Sequence, residues 1–546
     1  MYSLVFKNVK VIDGVGNPWY YADVGIEGDK IVHVGRIEGA DSRRIIEGKN
    51  MALAPGFIDM HSHSDLIFLS EKQAELLEGR IRQGITTEIM GNCGISVSPV
   101  RDEIKPVMEA SVGFLTPADK PSWEWNNMAE YLDLVEKTGV VVNVGTLTGH
   151  GAIRALVKGF SGGISSPKEI EEMRGFLKET LEQGSFGLSS GLIYAPGMFA
   201  DTNELTELGE IIADYDRIFT SHIRGSSETD IEAHQEILTI GEKAGCRIHR
   251  SHYEAVGKEN WHKIETTLEM DEKARQRGID MAFDMFPYTA ANTMMIAIYP
   301  PWALDGGWPE FVKRVQDPGT RKKIENDIAN VVPTWPTWLP GSWPHNLVKA
   351  AGWENIFIQF IPSEKNKKHE GCNLEELGLR SGESPFDAIT DLLVEENGAI
   401  TQLIFGVSGD RNDDSPLRTI MRHPLGGFCT DAWDIGQGRP SPAAYGTYPR
   451  ILGKYVRDEK LLPLEDAVRR MTSFPANRLG LKGRGIIAEG YFADLVLFDP
   501  DNIRDLATYE DPRQFSEGIH YVIVNGQVLL ENGEVGAIRP GRVLRK

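Results

Sequence analysis

Cysteine is scarce in this chain: Cys93, Cys246, Cys372 and Cys429 are the only four in 546 residues. Spaced so widely, they argue against a disulfide framework, and each reads as a free thiol or a ligand. Positive charge is also in deficit, with 58 Lys and Arg against 79 Asp and Glu and a formal net charge of −21. That balance argues against a nucleic-acid or anionic-membrane partner, which would want a basic surface. No uninterrupted apolar run approaches the ~18 residues of a membrane span, and Met1-Tyr2-Ser3-Leu4-Val5-Phe6-Lys7 lacks a basic segment followed by an apolar one. A cytoplasmic location is the resulting expectation. A Gly-rich phosphate cradle after the late strands is missing too, which counts against a sugar-phosphate barrel enzyme. What is present, 41% hydrophobic and 25% charged residues, is an ordinary globular composition, long enough for one large domain and a smaller one.

The most informative stretch is Pro55-Gly56-Phe57-Ile58-Asp59-Met60-His61-Ser62-His63-Ser64-Asp65, an apolar run ending in two histidines one residue apart. Side chains alternate between the faces of a strand, so His61 and His63 share a side and can reach one metal ion. Short apolar or β-branched runs recur along the chain: Gly56 to Met60, Thr87 to Met90, Val140 to Leu147, Ser185 to Ser189, Ile218 to Ser221, Arg247 to Ser251, Asp280 to Met285 and Gly427 to Thr430. Charge-rich stretches such as Pro167 to Glu182 and Asp230 to Ala244 read as amphipathic helices between them. Eight such units predict a (β/α)8 barrel, in which chemistry sits at the C-terminal ends of the strands.

Polar residues gather at those ends: His61 and His63 after the first strand, Cys93 after the second, His150 after the third, His222 after the fifth, His252 after the sixth and Asp431 after the eighth. Singly, His222 or His252 could be a hydrogen-bonded core histidine, and a lone cysteine is more often a small buried hydrophobe. Together they point to a metal centre, since imidazole and thiolate are good zinc ligands and a barrel rim brings these positions within mutual reach.

Both termini alternate apolar and polar residues, over Leu4 to Ile12, Asp23 to Val34, Asp494 to Phe498 and His520 to Leu530, with Asn525-Gly526 as a hairpin turn. They predict a small β-sandwich domain from residues 1–54 and 484–546, around a barrel over 55–483. Between the seventh and eighth strands lies an excursion of roughly a hundred residues, about 293–400, far beyond the usual loop. It holds Trp302, Trp308, Trp335, Trp338, Trp343 and Trp353, six of the eleven tryptophans. A helical subdomain packed by its aromatics is expected there, and its origin at the rim makes a substrate-covering lid a further hypothesis.

At this point the chain resembles the amidohydrolase superfamily, and within it the N-acyl-D-amino-acid deacylase (D-aminoacylase) family, over nearly its whole length. The carriers are the Pro55 to His63 run, Gly84-Ile85-Thr86-Thr87 with Gly91-Asn92-Cys93-Gly94, Gly187-Leu188-Ser189-Ser190-Gly191-Leu192-Ile193-Tyr194, Ser221-His222, Ser251-His252, Phe286-Pro287-Tyr288-Thr289-Ala290 and Tyr445-Gly446-Thr447-Tyr448-Pro449-Arg450. Many relatives bridge two metals with a fourth-strand lysine; here that strand has none, and a cysteine stands on the second, as in the D-aminoacylase branch. The resemblance implies a zinc held tightly by Cys93, His222 and His252, with His61 and His63 facing a second, weaker divalent position. It implies Asp431 as general base toward water and then general acid toward the departing nitrogen, and assigns His150 and Tyr194 minor roles in polarising the carbonyl. Tyr288 joins them as a substrate-binding candidate.

Two departures bear on the substrate. The family grips a free carboxylate with a lysine two residues beyond the sixth-strand histidine and an arginine shortly before the Tyr445-Gly446 element. Here those places hold Glu254 and Ala443, leaving Arg439 or Arg224 as substitutes. A carboxylate in place of a lysine reverses the local charge preference. Zinc-dependent cleavage of a linear amide C–N bond in a small molecule is therefore expected, with a neutral, cationic or xenobiotic amide as plausible as a D-amino-acid derivative. The alternatives are a dihydropyrimidinase-like cyclic-amide hydrolase and an inactive barrel scaffold. A homo-oligomer is compatible with the sequence.

Overall fold

The computed structural model describes residues 1–39, 41–339 and 341–546. Eight parallel strands form the barrel: Phe57–Asp59, Ile85–Met90, Asn143–Thr146 continuing as Thr148–Gly149, Gly187–Gly191, Ile218–His222, Arg247–Arg250, Met281–Met285 and Gly426–Phe428. Each overlaps a strand predicted from sequence. Most of their residues are buried, the pattern of a parallel sheet covered on one face by helices and filled on the other by side chains. The helices Pro167–Glu182 and Asp230–Ala244 form with the predicted bounds. The first starts on a reciprocal cap between Ser166 and Glu169, and the second ends on Gly245 in the left-handed region.

Among the described residues no ladder joins the eighth strand to the first. Side chains make that joint instead. The Asp59 carboxylate accepts hydrogen bonds from the Thr430 amide (3.0 Å) and hydroxyl (2.5 Å), and the Asp431 amide donates to the His61 carbonyl (2.9 Å). The two strand ends that carry His61, His63 and Asp431 are thereby fixed to each other.

Both ends of the chain build the small β domain. Leu4–Val11, Tyr20–Glu27, Lys30–Gly35, Ile45–Glu47 and Ala52–Pro55 join Leu495–Phe498, Ile519–Val524, Gln527–Glu531 and Glu534–Val535 in one nine-stranded sheet. Period-two alternation decides which face meets the barrel. Leu53, Leu495 and Leu497 pack with Phe6 and Val24 inside this domain, while Ala52, Ala54, Val496 and Phe498 turn toward the barrel's apolar cluster. The last residues return to the third strand, where the Val144 amide donates to the Arg542 carbonyl (2.9 Å) and the Leu544 amide to the Val144 carbonyl (2.7 Å).

The excursion after the seventh strand corrects the expectation of a helical subdomain. Besides Trp308–Gln316, Pro318–Asn330, Leu374–Ser381 and Pro385–Glu395 it contains a three-stranded antiparallel sheet of Ala290–Met294, Thr401–Phe405 and Ile356–Phe360, with Thr401–Phe405 central. The sheet carries its limits out to 290 and 405. Ile356–Phe360 and Thr401–Phe405 are rich in β-branched and aromatic residues, which favour a pleated surface. Trp302, Trp308, Trp343 and Trp353 do pack in the aromatic and aliphatic cluster of this region, whereas Trp338 lies over the guanidinium of Arg224 at 4.9 Å. No helix among the described residues is long and apolar enough to cross a membrane.

Candidate metal centre and substrate cavity

The strand ends converge on one buried cluster. Ligand atoms of Cys93, His222 and His252 all lie within 4.8 Å of one another, and so do those of His61, His63, Cys93 and Asp431. Cys93 Sγ stands 3.3 Å from His61 Nε2 and 3.6 Å from His252 Nε2. Asp431 Oδ1 is 3.2 Å from His61 Nε2 and 3.5 Å from His63 Nε2. The rings of His222 and His252 pack edge to face at 4.3 Å.

Local backbone geometry aims these groups. Cys93 (φ 53°), His252 (φ 32°) and Asp431 (φ 45°) all occupy the left-handed region that non-glycine residues avoid. Cys93 rides on a loop pressed against the fourth strand, where a Cβ on Gly94 would come within 2.6 Å of the Gly191 nitrogen. Ser189, on the strand that lacks a lysine, clamps this loop: its hydroxyl accepts from the Gly94 amide (3.1 Å) and donates to the Gly91 carbonyl. Asp284 performs the same office beside His252. Its carboxylate accepts from the His252 amide (2.5 Å) and the Cys429 thiol (3.3 Å) and meets His249 Nε2 at 3.0 Å. Sequence reasoning did not single out Ser189, Asp284 or His249; a strand-borne serine or aspartate carries no spacing signal of its own.

Burial governs how these groups titrate. Burial pushes the Cys93 thiol up to about 11 and His252 down to about 4, and holds His222 well below its usual value. Against burial, the imidazoles of His61 and His252 hold the Asp431 carboxyl far below the carboxylate range. His252 and His63 turn Nε2 into the cluster, toward Cys93 Sγ (3.6 Å) and Asp431 Oδ1 (3.5 Å). A thiol and imidazoles converging with a carboxylate fit a soft-to-borderline divalent ion such as zinc.

Beside the cluster opens a cavity of about 40 Å³ lined by His63, Tyr194, His222, His252, Glu254, His345, Asp431 and Trp433, among others. None of its lining residues is Lys or Arg. Glu254 is buried, accepts from the Ser226 hydroxyl (3.2 Å), and is raised by burial and then by the Asp431 charge to about 8. Tyr194 reaches Thr293 Oγ1 at 2.7 Å. His345 comes from the excursion, with Nδ1 2.8 Å from the Ser227 hydroxyl; nothing in its sequence context marked it.

Four of the expected or candidate site residues lie elsewhere. His150 opens the helix His150–Lys158 and points its Nε2 at Glu204 Oε1 (2.7 Å), a carboxylate that also pairs with Arg154. It does not line the cavity because that buried ion pair holds it away. Tyr288 is buried with its hydroxyl toward the Pro442 carbonyl (3.4 Å), under the guanidinium of Arg450. Arg439 is exposed and lines a separate small cavity that also touches Trp433. Arg224, the other stand-in, is buried and bound through two nitrogens to Glu236 at 3.0 Å.

A barrel of this topology whose rim gathers a thiol, four imidazoles and a carboxylate defines a class, the metal-dependent hydrolase barrels. Comparison with known proteins makes the class specific. A family model described as the Amidohydrolase family matches residues 44–324 and 374–530. The chain is 32% identical over 545 residues to an N-acyl-D-glutamate deacylase of Alcaligenes xylosoxydans xylosoxydans, covering 100% of this chain and 96% of the relative. It is 30% identical over 546 residues to a D-aminoacylase of the same organism, covering 100% and 98%. The crystal structure of N-acyl-D-glutamate deacylase from Bordetella bronchiseptica, complexed with zinc and a phosphonate mimic of the reaction's tetrahedral intermediate, matches with a TM-score of 0.82 at 28% identity, both chains covered to 100%. The chain belongs to the amidohydrolase family, in its D-aminoacylase branch, and is a metal-dependent hydrolase of C–N bonds other than peptide bonds.

Proposed function

We propose that the protein cleaves a linear amide of a small molecule with zinc, and that its substrate carries no free carboxylate beside the scissile nitrogen. The observation that carries this reading is the convergence of Cys93, His222 and His252 within 4.8 Å, with Asp431 facing the same cavity. Those three residues would hold one zinc tightly, and His61 and His63 a second, weaker divalent ion. A bound zinc would lower the pKa of a water ligand to about 7 and polarise the amide carbonyl. Asp431 takes the proton from the attacking water, since it is held ionised, and returns it to the departing nitrogen, which cannot leave as an amine anion. Tyr194, anchored by Thr293, stands beside His222 where a carbonyl oxygen could accept from its hydroxyl.

The substrate assignment rests on what the cavity contains. Glu254 stands where the family resemblance implies a lysine, Arg224 is consumed by Glu236, and Arg439 lines a separate cavity. A carboxylate entering there would meet no opposite charge, and it would lie near Glu254 and Asp431. A cyclic-amide hydrolase is the second reading; the lysine-free fourth strand, whose Ser189 is committed to the Cys93 loop, favours the linear substrate. The test is metal content of the wild type and Cys93→Ala, with turnover of N-acetyl-D-amino acids against their uncharged amide counterparts. About one zinc in the wild type, lost in the variant, with turnover confined to uncharged amides is expected. Efficient cleavage of the free acids would overturn the substrate assignment, and wild type without zinc would overturn the mechanism.

A further inference from the structure

We infer that the acyl half of the substrate is a medium-length fatty chain, held in an uncharged cavity that adjoins the metal cluster at Cys93 and is not lined by Glu254. This rests on the amide-hydrolase reading above and extends it to a substrate class: fatty-acyl amides of small amines without a carboxylate. A second cavity, of about 350 Å³, adjoins the first and shares Cys93, Ile95, Ile193, Tyr194 and Met294 with it. From there it runs between the short helix Lys105–Ser111 and the excursion, walled by Met108, Phe160, Ile296, Leu304 and Trp308. No charged residue lines it. Its outer end is formed by exposed Pro106, Val107 and Ala110.

Which half of the amide enters which cavity follows from Asp431. Hydrolysis adds the water oxygen to the acyl carbon and breaks the C–N bond, and the nitrogen must collect a proton as it leaves. The group that delivers that proton has to lie on the nitrogen's side. Asp431 lines the 40 Å³ cavity with Glu254 and His345 and does not line the larger one. The amine therefore occupies the small compartment that holds Asp431 and Glu254, and the acyl chain extends past Cys93 and Tyr194 into the uncharged one. At the ~30 Å³ that a small molecule claims in a liquid, 350 Å³ admits on the order of ten methylene groups. Burying each one favours binding, and a wall with no charge and only Ser96, Ser111, Tyr194 and Asn397 as polar side chains favours an aliphatic acyl group over a charged one.

The experiment uses the zinc-loaded full-length protein and amides of one small uncharged amine, with acetyl, hexanoyl, decanoyl and hexadecanoyl chains. The expected result is a kcat/KM that rises by roughly twofold to fourfold per methylene toward decanoyl, the range that partial to full burial of a CH2 group supplies, and then levels. Ala110→Trp and Val107→Trp, at exposed positions where the fold tolerates bulk, should lower the ratio of decanoyl to acetyl turnover at least fivefold by closing the far end. A series that is flat or falls from acetyl onward, or a ratio that both variants leave unchanged, overturns the acyl cavity while leaving the amide-hydrolase reading in place. Zinc-loaded protein that cleaves no member, acetyl included, overturns that reading and the inference together.

Discussion

Two histidine clusters lie in the same barrel, and they solve opposite problems. At His150 one carboxylate gathers the cluster: Nε2 meets Glu204 at 2.7 Å, and the same buried carboxylate pairs with Arg154. Against burial, the hydrogen bond from His150 and the charge of Arg154 bring the Glu204 carboxyl down to about 2. At the mouth, four imidazoles and a thiol face Asp431, and three residues hold left-handed backbone that costs on the order of 1–3 kcal/mol each. A cluster that gathers on one carboxylate over unstrained backbone is part of the frame. One that holds converging ligand atoms on strained backbone is built to receive something else.

Substitutions can break this contrast. Cys93→Ala should remove the tightly bound metal and lower kcat/KM by at least ~10³, the loss of a metal's charge stabilisation, which elemental analysis alongside turnover would read. Asp431→Asn should keep the metal and lower kcat by about 10²–10⁴, the range of a lost proton shuttle; retained activity would remove Asp431 from the mechanism. Glu204→Gln should do the reverse of Cys93→Ala: destabilise by about 3–5 kcal/mol in urea unfolding, because His150 and Arg154 lose a buried partner, with metal content unchanged.

The pH dependence sharpens the same division. The folded value for Glu204, about 2, lies below the ~4.5 of the unfolded chain, so its contribution is present above pH ~4.5 and is lost as pH falls toward 2, up to roughly 3 kcal/mol. Glu204→Gln should flatten that limb of the acid-unfolding curve. Ser189→Ala should have the smallest effect, about 10- to 100-fold in metal affinity with little change in stability, because it removes one clamp on the Cys93 loop.

Much of the frame was legible because it is local. The period-two runs, the Ser166 and Glu169 cap and the histidines one residue apart at 61 and 63 each act within a few residues of themselves. The strands of the excursion were missed because a short β-branched run such as Thr401–Phe405 competes with the helices that flank it and takes its pairing from Ala290–Met294, more than a hundred residues earlier. His150 misled for a related reason. Its position at a strand end is a sequence property, but its partner, Glu204, is supplied by another helix.

The sequence by itself determined the barrel, the terminal β domain and the set of side chains at the strand ends, since strand period and apolar patterning act along the chain. Only the tertiary structure decided which of those side chains meet. It turned Arg224 onto Glu236, placed Arg439 on a separate cavity, brought His345 in from the excursion and set an uncharged cavity beside Cys93. Charge pairing and cavity shape are relations between segments far apart in the chain, fixed by close packing, and no spacing along one segment encodes them.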